Sequence, residues 1–391
     1  MDILFIAPQP FYQERGTPIA IRFALATLCK AGHRVDLLTY HEGEDVKMEG
    51  LRILRIPKPP LVSNVPIGPS WKKLVCDLYL SARIPACLAA KRYDVIHAVE
   101  EAIFPALLAN LVARKRLVYD MDSSMADQLM ERWPQMRLLR PVLDGFERLA
   151  VRRSSLVLPV CQALADKAAQ HAPGKPVHIL HDIAFEPEPE AAHRAEDLRR
   201  SLGLRGLMAL YVGNLERYQG MGPMLEGFAM LGPDERIDLV VIGGNGAEIE
   251  SHRALAHRLG VADRAHFIGP RPLALLPHYL TQADILLSPR LKGQNTPMKI
   301  YAYLLAGRAI LASNIGSHTQ VLDDSCALLA EPKPPALAEG LKRLARDPNL
   351  RARLGRAAAA LARERYSHAE FERRLMAAYA VLGTGAPPGA P

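Results

Sequence analysis

The residues best equipped for chemistry lie between Ser288 and Tyr301. Arg290, Lys292 and Lys299 supply positive charge, and Asn295, Thr296 and Pro297 are types that open a helix. The apolar run Ile285–Leu287 before them reads as a short buried strand. Lys299–Ala306 after them reads as a helix that Gly307 stops. A strand, a polar loop and a helix start make a cradle for a phosphate, because the first N–H groups of a helix lack chain partners and its dipole favours an anion. A simply capped helix with solvated charges is the alternative reading of the same letters.

Three other places carry chemistry-bearing residues. Asp120 and Asp122 lie at the end of the strand-like run Arg116–Asp120 and could cap the next helix, work as acid and base, or hold a divalent metal. His97 ends the strand Asp94–Ala98, followed by Glu100-Glu101; it reads as a site residue or as a packed histidine. Gly16-Thr17 sits in a long loop after the first strand, where backbone can approach a ligand; no GxGxxG dinucleotide fingerprint is present.

These positions need a frame to hold them. The chain has 391 residues, 49% apolar and 23% charged, which predicts two or three domains with real cores. The net charge is +8, about +5 of it in residues 1–185. That mild excess fits an anionic ligand or membrane surface and argues against a nucleic-acid protein, which would carry a denser basic stripe. Five scattered cysteines form no CxxC pair, so neither a zinc site nor a disulfide frame is expected, and a reducing cytoplasm fits. The start Met1-Asp2-Ile3 does not read as a signal peptide, and no apolar run of bilayer length occurs.

Apolar runs at Asp2–Ala7, Val35–Thr39, Leu51–Ile56, Leu156–Val160 and Val177–Leu180 read as strands in the first half. Leu207–Val212, Asp238–Ile242, Ala265–Ile268 and Ala309–Ser313 read so in the second. Helical spacing separates them, at Ile19–Ala31 and Met224–Leu231 for example, and Pro335–Arg365, rich in Ala, Leu and Arg, reads as helical. This grammar is that of doubly wound α/β domains with Gly-bearing loops at the strands' carboxyl ends. The charged stretch Glu186–Arg200 reads as the linker, giving domains 1–185 and 186–366, a helix at 367–382 and a disordered tail at 383–391. In Ile67–Ala90, Trp71, Leu74, Leu78 and Tyr79 with Lys72, Lys73 and Arg83 give a stripe suited to an anionic membrane surface, or to packing on the sheet.

The order of several phrases resembles the retaining, GT-B-fold glycosyltransferases of family 4. The phrases are Leu28–Val35, Asp94–Ala98, Tyr211–Leu215 with Gln219-Gly220, Val241–Gly246, Ala283–Pro289 and Ala306–Ser313. The resemblance implies two Rossmann-like domains facing across a cleft, with the last helix crossing back to the first domain. It implies transfer of a sugar from a nucleotide-diphosphate donor to a glycan or lipid-linked acceptor, with no tightly bound cofactor, no required divalent metal and no nucleic-acid partner. A cytoplasmic location, with peripheral contact at the membrane's inner face, goes with it. Asp122, His97 and Lys299 would be catalytic. Gly16, Thr17, Asn214, Arg217, Gln219, Gly244, Arg271, Arg290, Gln294, Asn295, Thr296, Pro297 and Met298 would bind the donor. The sequence departs from the family at the paired glutamates, whose positions hold Gln294 and Ala302. It departs also at the basic pair, now Asn214 and Gln219, and at a histidine, now Asp122. An inactive GT-B binding protein, or another GT-B activity such as an epimerase or phosphorylase, would share the frame.

Overall fold

A computed structural model describes residues 1–13, 16–66, 68, 70–185, 194–232 and 235–384. Residues 186–193 of the expected linker, and nearly all of the expected tail, lie outside the described residues. The chain forms two compact units, one of Met1–His181 with the chain from Phe371 onward, the other of Asp182–Glu370. The boundaries expected at 185/186 and 366/367 therefore fall a few residues away.

The first unit runs β1 Asp2–Ile6, α1 Gly16–Lys30, β2 Arg34–Thr39, β3 Leu51–Arg55, α2 Trp71–Ala90, β4 Val95–Val99, α3 Ile103–Ala113, β5 Arg116–Met121, α4 Met125–Arg132, α5 Arg140–Arg153, β6 Leu156–Pro159 and α6 Gln162–His171. Its strands form one parallel sheet in the order β3-β2-β1-β4-β5-β6. Helices cover both faces of such a sheet, so the strands must be apolar on both sides, and β1 and β4 are buried almost throughout. Val177–Leu180 does not extend the sheet. Only Val177 bridges to Val157, because Pro176 and Pro159 remove ladder donors on both sides of the pairing.

The second unit runs α7 Leu198–Ser201, β7 Leu207–Val212, α8 Met221–Ala229, β8 Ile237–Ile242, α9 Gly246–Arg258, β9 Ala265–Gly269, α10 Leu276–Gln282, β10 Ile285–Ser288, α11 Met298–Ala306, β11 Ala309–Ser313, α12 Gly316–Thr319, β12 Leu328–Ala330, α13 Pro334–Arg346 and α14 Pro348–Arg365. Its parallel sheet has the order β12-β11-β10-β7-β8-β9, the topology of the first unit repeated. The stretch Pro335–Arg365, expected to be helical, is divided between α13 and α14. Pro348 cannot continue a helix, and Asp347 caps the second by accepting from the Leu350 N–H at 2.8 Å.

The last helix, α15 His368–Thr384, packs within the first unit from Phe371 onward. Phe371, Leu375, Ala378, Tyr379 and Leu382 are buried at helical spacing, with Phe371 edge-on to Phe23 of α1. Its polar anchor is His97 on β4. The His97 ring is fully buried and stacks on Phe5 at 4.1 Å between centroids. Asp120 Oδ2 accepts from Nε2 at 3.0 Å, which leaves Nδ1 to accept from the Tyr379 hydroxyl at 2.7 Å. Of the two readings of His97, the packed one is what these contacts describe, since both ring nitrogens help tie β4, β5 and α15 together. Tyr379→Phe leaves Nδ1 unsatisfied inside the core and is expected to destabilise the first unit by about 1–3 kcal/mol, read as a lower urea midpoint with an unchanged slope.

Candidate functional site

In a doubly wound sheet the loops at the carboxyl edge part where the strand order reverses, and the crevice there receives ligands. The reversal falls between β1 and β4 in the first unit and between β7 and β10 in the second. The loops that follow β7 and β10 carry most of the residues that the sequence singles out.

These two loops are locked together. Leu291 N–H donates to Tyr218 O at 2.8 Å. Gly220 has φ +76°, and a Cβ there would meet Pro289 O at 1.9 Å, so only glycine permits the approach. Tyr303 on α11 accepts from Val212 N–H at 3.0 Å and donates to Leu287 O at 3.1 Å, bridging the ends of β7 and β10.

Lys299 lies between them on the first turn of α11. Its ammonium is 3.9 Å from the centre of the Tyr211 ring and donates to Gln219 Oε1 at 3.2 Å. Among the described residues no carboxylate pairs with it. Burial, with the nearby Arg290 charge, holds its pKa well below the usual lysine value. Gly213, at φ +144°, makes room for it, since a Cβ there would lie 2.7 Å from Nζ. The expected caps do not form. Pro297 is the N-cap and offers no side-chain cap to the first N–H groups of α11, and no acid stands in its first turn. Thr296, instead of capping, holds a buried hydroxyl with no partner. Ser313 and Ser317, at the carboxyl end of β11 and in α12, hold two more. An uncapped helix start, a lysine without a counter-charge and spare hydroxyl donors can together receive a multiply charged anion.

Other expected contacts are engaged in holding the frame. Arg290 donates to Lys292 O at 2.8 Å and Asn295 O at 3.0 Å, and stacks over Tyr218, so its guanidinium folds the β10–α11 loop around Gly293. Arg271 braces its own turn through Ile268 O at 2.6 Å and reaches Glu196 at 3.4 Å. Asn214 and Arg217 are exposed on the β7–α8 loop, and Gln219 is buried beneath it. Gly244 turns at φ +80° into α9. Gln294 is exposed, and its carbonyl accepts from Gln320 at 2.7 Å. Ser288 donates to His318 Nε2 at 2.9 Å, while Nδ1 donates to Ser313 O at 2.8 Å. Burial, aided by Arg290 and Lys299, brings His318 down to about 4, so it is neutral at pH 7. Tyr211, Tyr303 and His318 escaped the sequence reading. Tyr303 had a signal, standing one helical turn beyond Lys299 on the same face.

The reversal point of the first unit carries the opposite charge. Glu100 follows β4 at φ +49°, and its Oε1 accepts from Ser123 Oγ at 3.0 Å. Glu101 pairs with Lys73 Nζ at 2.5 Å. Burial and then Glu101 push Asp77 up to about 7, and burial and then Glu101 raise Glu100. Asp122 is half-buried directly after β5, whereas Asp120 is engaged by His97. Gly16 is exposed and Thr17 half-buried in the first turn of α1, three residues earlier than the helix start expected at Ile19. Among the described residues no three metal-ligating side chains are grouped.

Two family models match the chain: the Glycosyl transferase 4-like domain over residues 16–182 and Glycosyl transferases group 1 over residues 195–361. The chain belongs to the GT-B glycosyltransferases of group 1. Its two six-stranded parallel sheets are the Rossmann-like domains of that fold. Alpha-D-kanosaminyltransferase of Streptomyces kanamyceticus is 26% identical over 255 residues, covering 63% of this chain and 66% of that protein. Sucrose-phosphate synthase from Thermosynechococcus elongatus superposes with a TM-score of 0.80 at 18% identity, covering 98% of this chain and 100% of that one. HepE of Anabaena, solved in complex with UDP, gives 0.75 at 18%, covering 97% and 100%.

A lysine whose pKa is lower folded than unfolded costs stability wherever the unfolded chain keeps it protonated, and the penalty fades as pH rises towards about 10.5. Lys299→Met should therefore stabilise the ligand-free protein at pH 7 by ~1–2 kcal/mol. The wild type should close that gap as pH rises, which urea unfolding at pH 7 and pH 10 would read. A destabilised variant would mark Lys299 as a structural residue.

Proposed function

We propose that the protein transfers a glycosyl group from a nucleotide-diphosphate sugar to a hydroxyl-bearing acceptor, with retention at the anomeric carbon. The observation that carries this reading is Lys299, an ammonium without a carboxylate partner at the uncapped start of α11, on the carboxyl edge of the second sheet. Breaking the glycosidic bond places negative charge on the leaving diphosphate. A fixed ammonium and a helix start at that spot stabilise the charge as it grows, without waiting for solvent to reorganise. Thr296 and the N–H groups of Met298 and Lys299 are the further donors to the phosphate oxygens. The UDP held by the Anabaena neighbour makes a uridine nucleotide the first donor to try.

The acceptor belongs, in this reading, to the first unit. Glu100, Asp122 and Ser123 line the carboxyl edge after β4 and β5, and carboxylates there suit the hydroxyls of a glycan or lipid-linked sugar. The position of Ala302, where the family carries a glutamate, leaves less of the nucleotide's recognition to side chains and more to the backbone and Lys299. Retention rests on the family resemblance alone, and the reaction needs no metal in this scheme.

The test is thermal unfolding with a panel of UDP-, GDP-, ADP- and dTDP-linked sugars. A cognate donor at a hundredfold excess over its Kd should raise the Tm by roughly 5–10 °C. Lys299→Met should weaken that donor about 10- to 100-fold, in line with one lost charged hydrogen bond. Asp122→Ala should lower turnover more than donor binding. A chain stabilised by none of these nucleotides would instead be a GT-B relative without transfer chemistry.

A further inference from the structure

The outer face of the first unit is apolar where a soluble helix layer is normally polar. α2, α3 and α5 lie side by side on one face of its sheet, and their inner residues, Leu80, Ile103 and Val151 among them, share one core. Phe104 and Phe146 meet edge-on between α3 and α5. Each helix also carries a second apolar stripe that faces solvent. On α2 it is Trp71, Leu74 and Leu78; on α3 Leu108, Leu111 and Val112; on α5 Val142, Phe146 and Leu149. The spacings are three, four or seven on α2 and α5, each set making one line along its helix, and on α3 Leu111 and Val112 stand three and four residues beyond Leu108, on the same side. Leu138 and Leu139, on the turn that enters α5, extend the patch and are 91% and 47% exposed. Isolated exposed leucines need no explanation, but a face assembled from three neighbouring helices does.

The charges on this face have one sign. On α2, α3, the entering turn and α5, and at the Arg114 cap of α3, every exposed ionic residue is an arginine: Arg83, Arg114, Arg137, Arg148, the Arg152-Arg153 pair, and Arg140, which is half-exposed and paired with Asp127. The carboxylates of the same helices turn inward or are paired. Asp77 accepts from the Tyr40 hydroxyl, Asp144 pairs with Arg140, and Glu147 is buried against Lys167. Arg153 continues the Val142–Phe146–Leu149 line, so the charge borders the apolar area directly. The stripe first read at Trp71–Leu78 is thus one third of a larger surface, and packing on the sheet is left to the opposite side of α2, at Cys76, Leu80, Ile84 and Cys87.

We propose that this α2/α3/α5 face is a membrane-docking surface that lies in the interface of an anionic bilayer, its leucine and aromatic side chains among the acyl chains and its arginines at the headgroups. A second protein chain would meet the apolar area as well, but it would not call for six arginines besides the paired Arg140 without one exposed acid. Anionic headgroups do, and the long arginine stems can hold the guanidinium at the headgroup level while the apolar residues sink below it. No described helix is long and apolar enough to cross a membrane, so the contact is one of lying on the surface. The proposal does not depend on the glycosyl-transfer reading.

Flotation of the full chain with phosphatidylcholine vesicles, with and without phosphatidylglycerol, tests it. The chain should float with the anionic vesicles only, and should be released at ~1 M salt, where the screening length is about 3 Å. Arg148→Gln with Arg153→Gln should weaken partitioning about 30-fold, at roughly fivefold per arginine. Leu111→Gln with Leu138→Gln should weaken it by about a hundredfold or more without lowering the Tm, because both side chains are already in water. No flotation at low salt, or equal flotation of both double variants and the wild type, overturns the proposal. So does a wild-type dimer in sedimentation velocity that Leu111→Gln with Leu138→Gln dissolves while no vesicle is bound, since the face would then be a self-association surface.

Discussion

Keeping an ammonium away from bulk water without a counter-ion is costly, and the second unit is arranged around one. Lys299 has a tyrosine face beneath it, an amide oxygen beside it and a glycine where a side chain would push it aside. None of these neutralises it. Tyr303, on the same helix, fixes the ends of the two strands that straddle the crevice and so anchors the helix that carries the lysine. Local rules of stability are broken at one point while the surroundings hold that point rigid, as expected where a site has been favoured over stability.

The same topology is used twice with opposite chemistry. A parallel sheet with right-handed crossovers sends every strand-to-helix loop to one edge, so each unit has one carboxyl edge and one reversal point. In the second unit that point carries Lys299, a neutral His318 and an uncapped helix. In the first it carries Glu100, Glu101 and Asp77 with a single lysine among them. The frame fixes where ligands can sit, and the loop side chains decide the sign of charge each edge accepts.

The strands were legible because full burial on both faces leaves no room for polar letters. β7 Leu207–Val212 and β11 Ala309–Ser313 fall where the apolar runs place them. α3 was hard to read for a related reason, since a helix apolar on its inner and outer sides shows little 3.6-residue period. The lysine and the helix start were legible from residue type and order. The backbone-bracing contacts of Arg271 and Arg290 were not, because an arginine that braces carbonyls and one that faces only solvent have the same letter and the same loop neighbours. The packing partner of His97 was not legible, since Tyr379 lies 282 positions away and only the return of α15 brings them together.

Charge at the second edge and its occupancy are linked. Burial lowers the pKa of Lys299, yet only the protonated form can stabilise a leaving phosphate. An arriving diphosphate supplies the missing counter-charge and favours the ammonium by the same interaction through which the ammonium favours the phosphate. An acidic residue beside Lys299 would also hold the proton, but it would occupy the place of the ligand and oppose its charge. The absence of a carboxylate partner among the described residues thus keeps the ammonium's hydrogen-bonding and electrostatic capacity free for the anion, and the unpartnered hydroxyl of Thr296 at the same helix start follows the same logic.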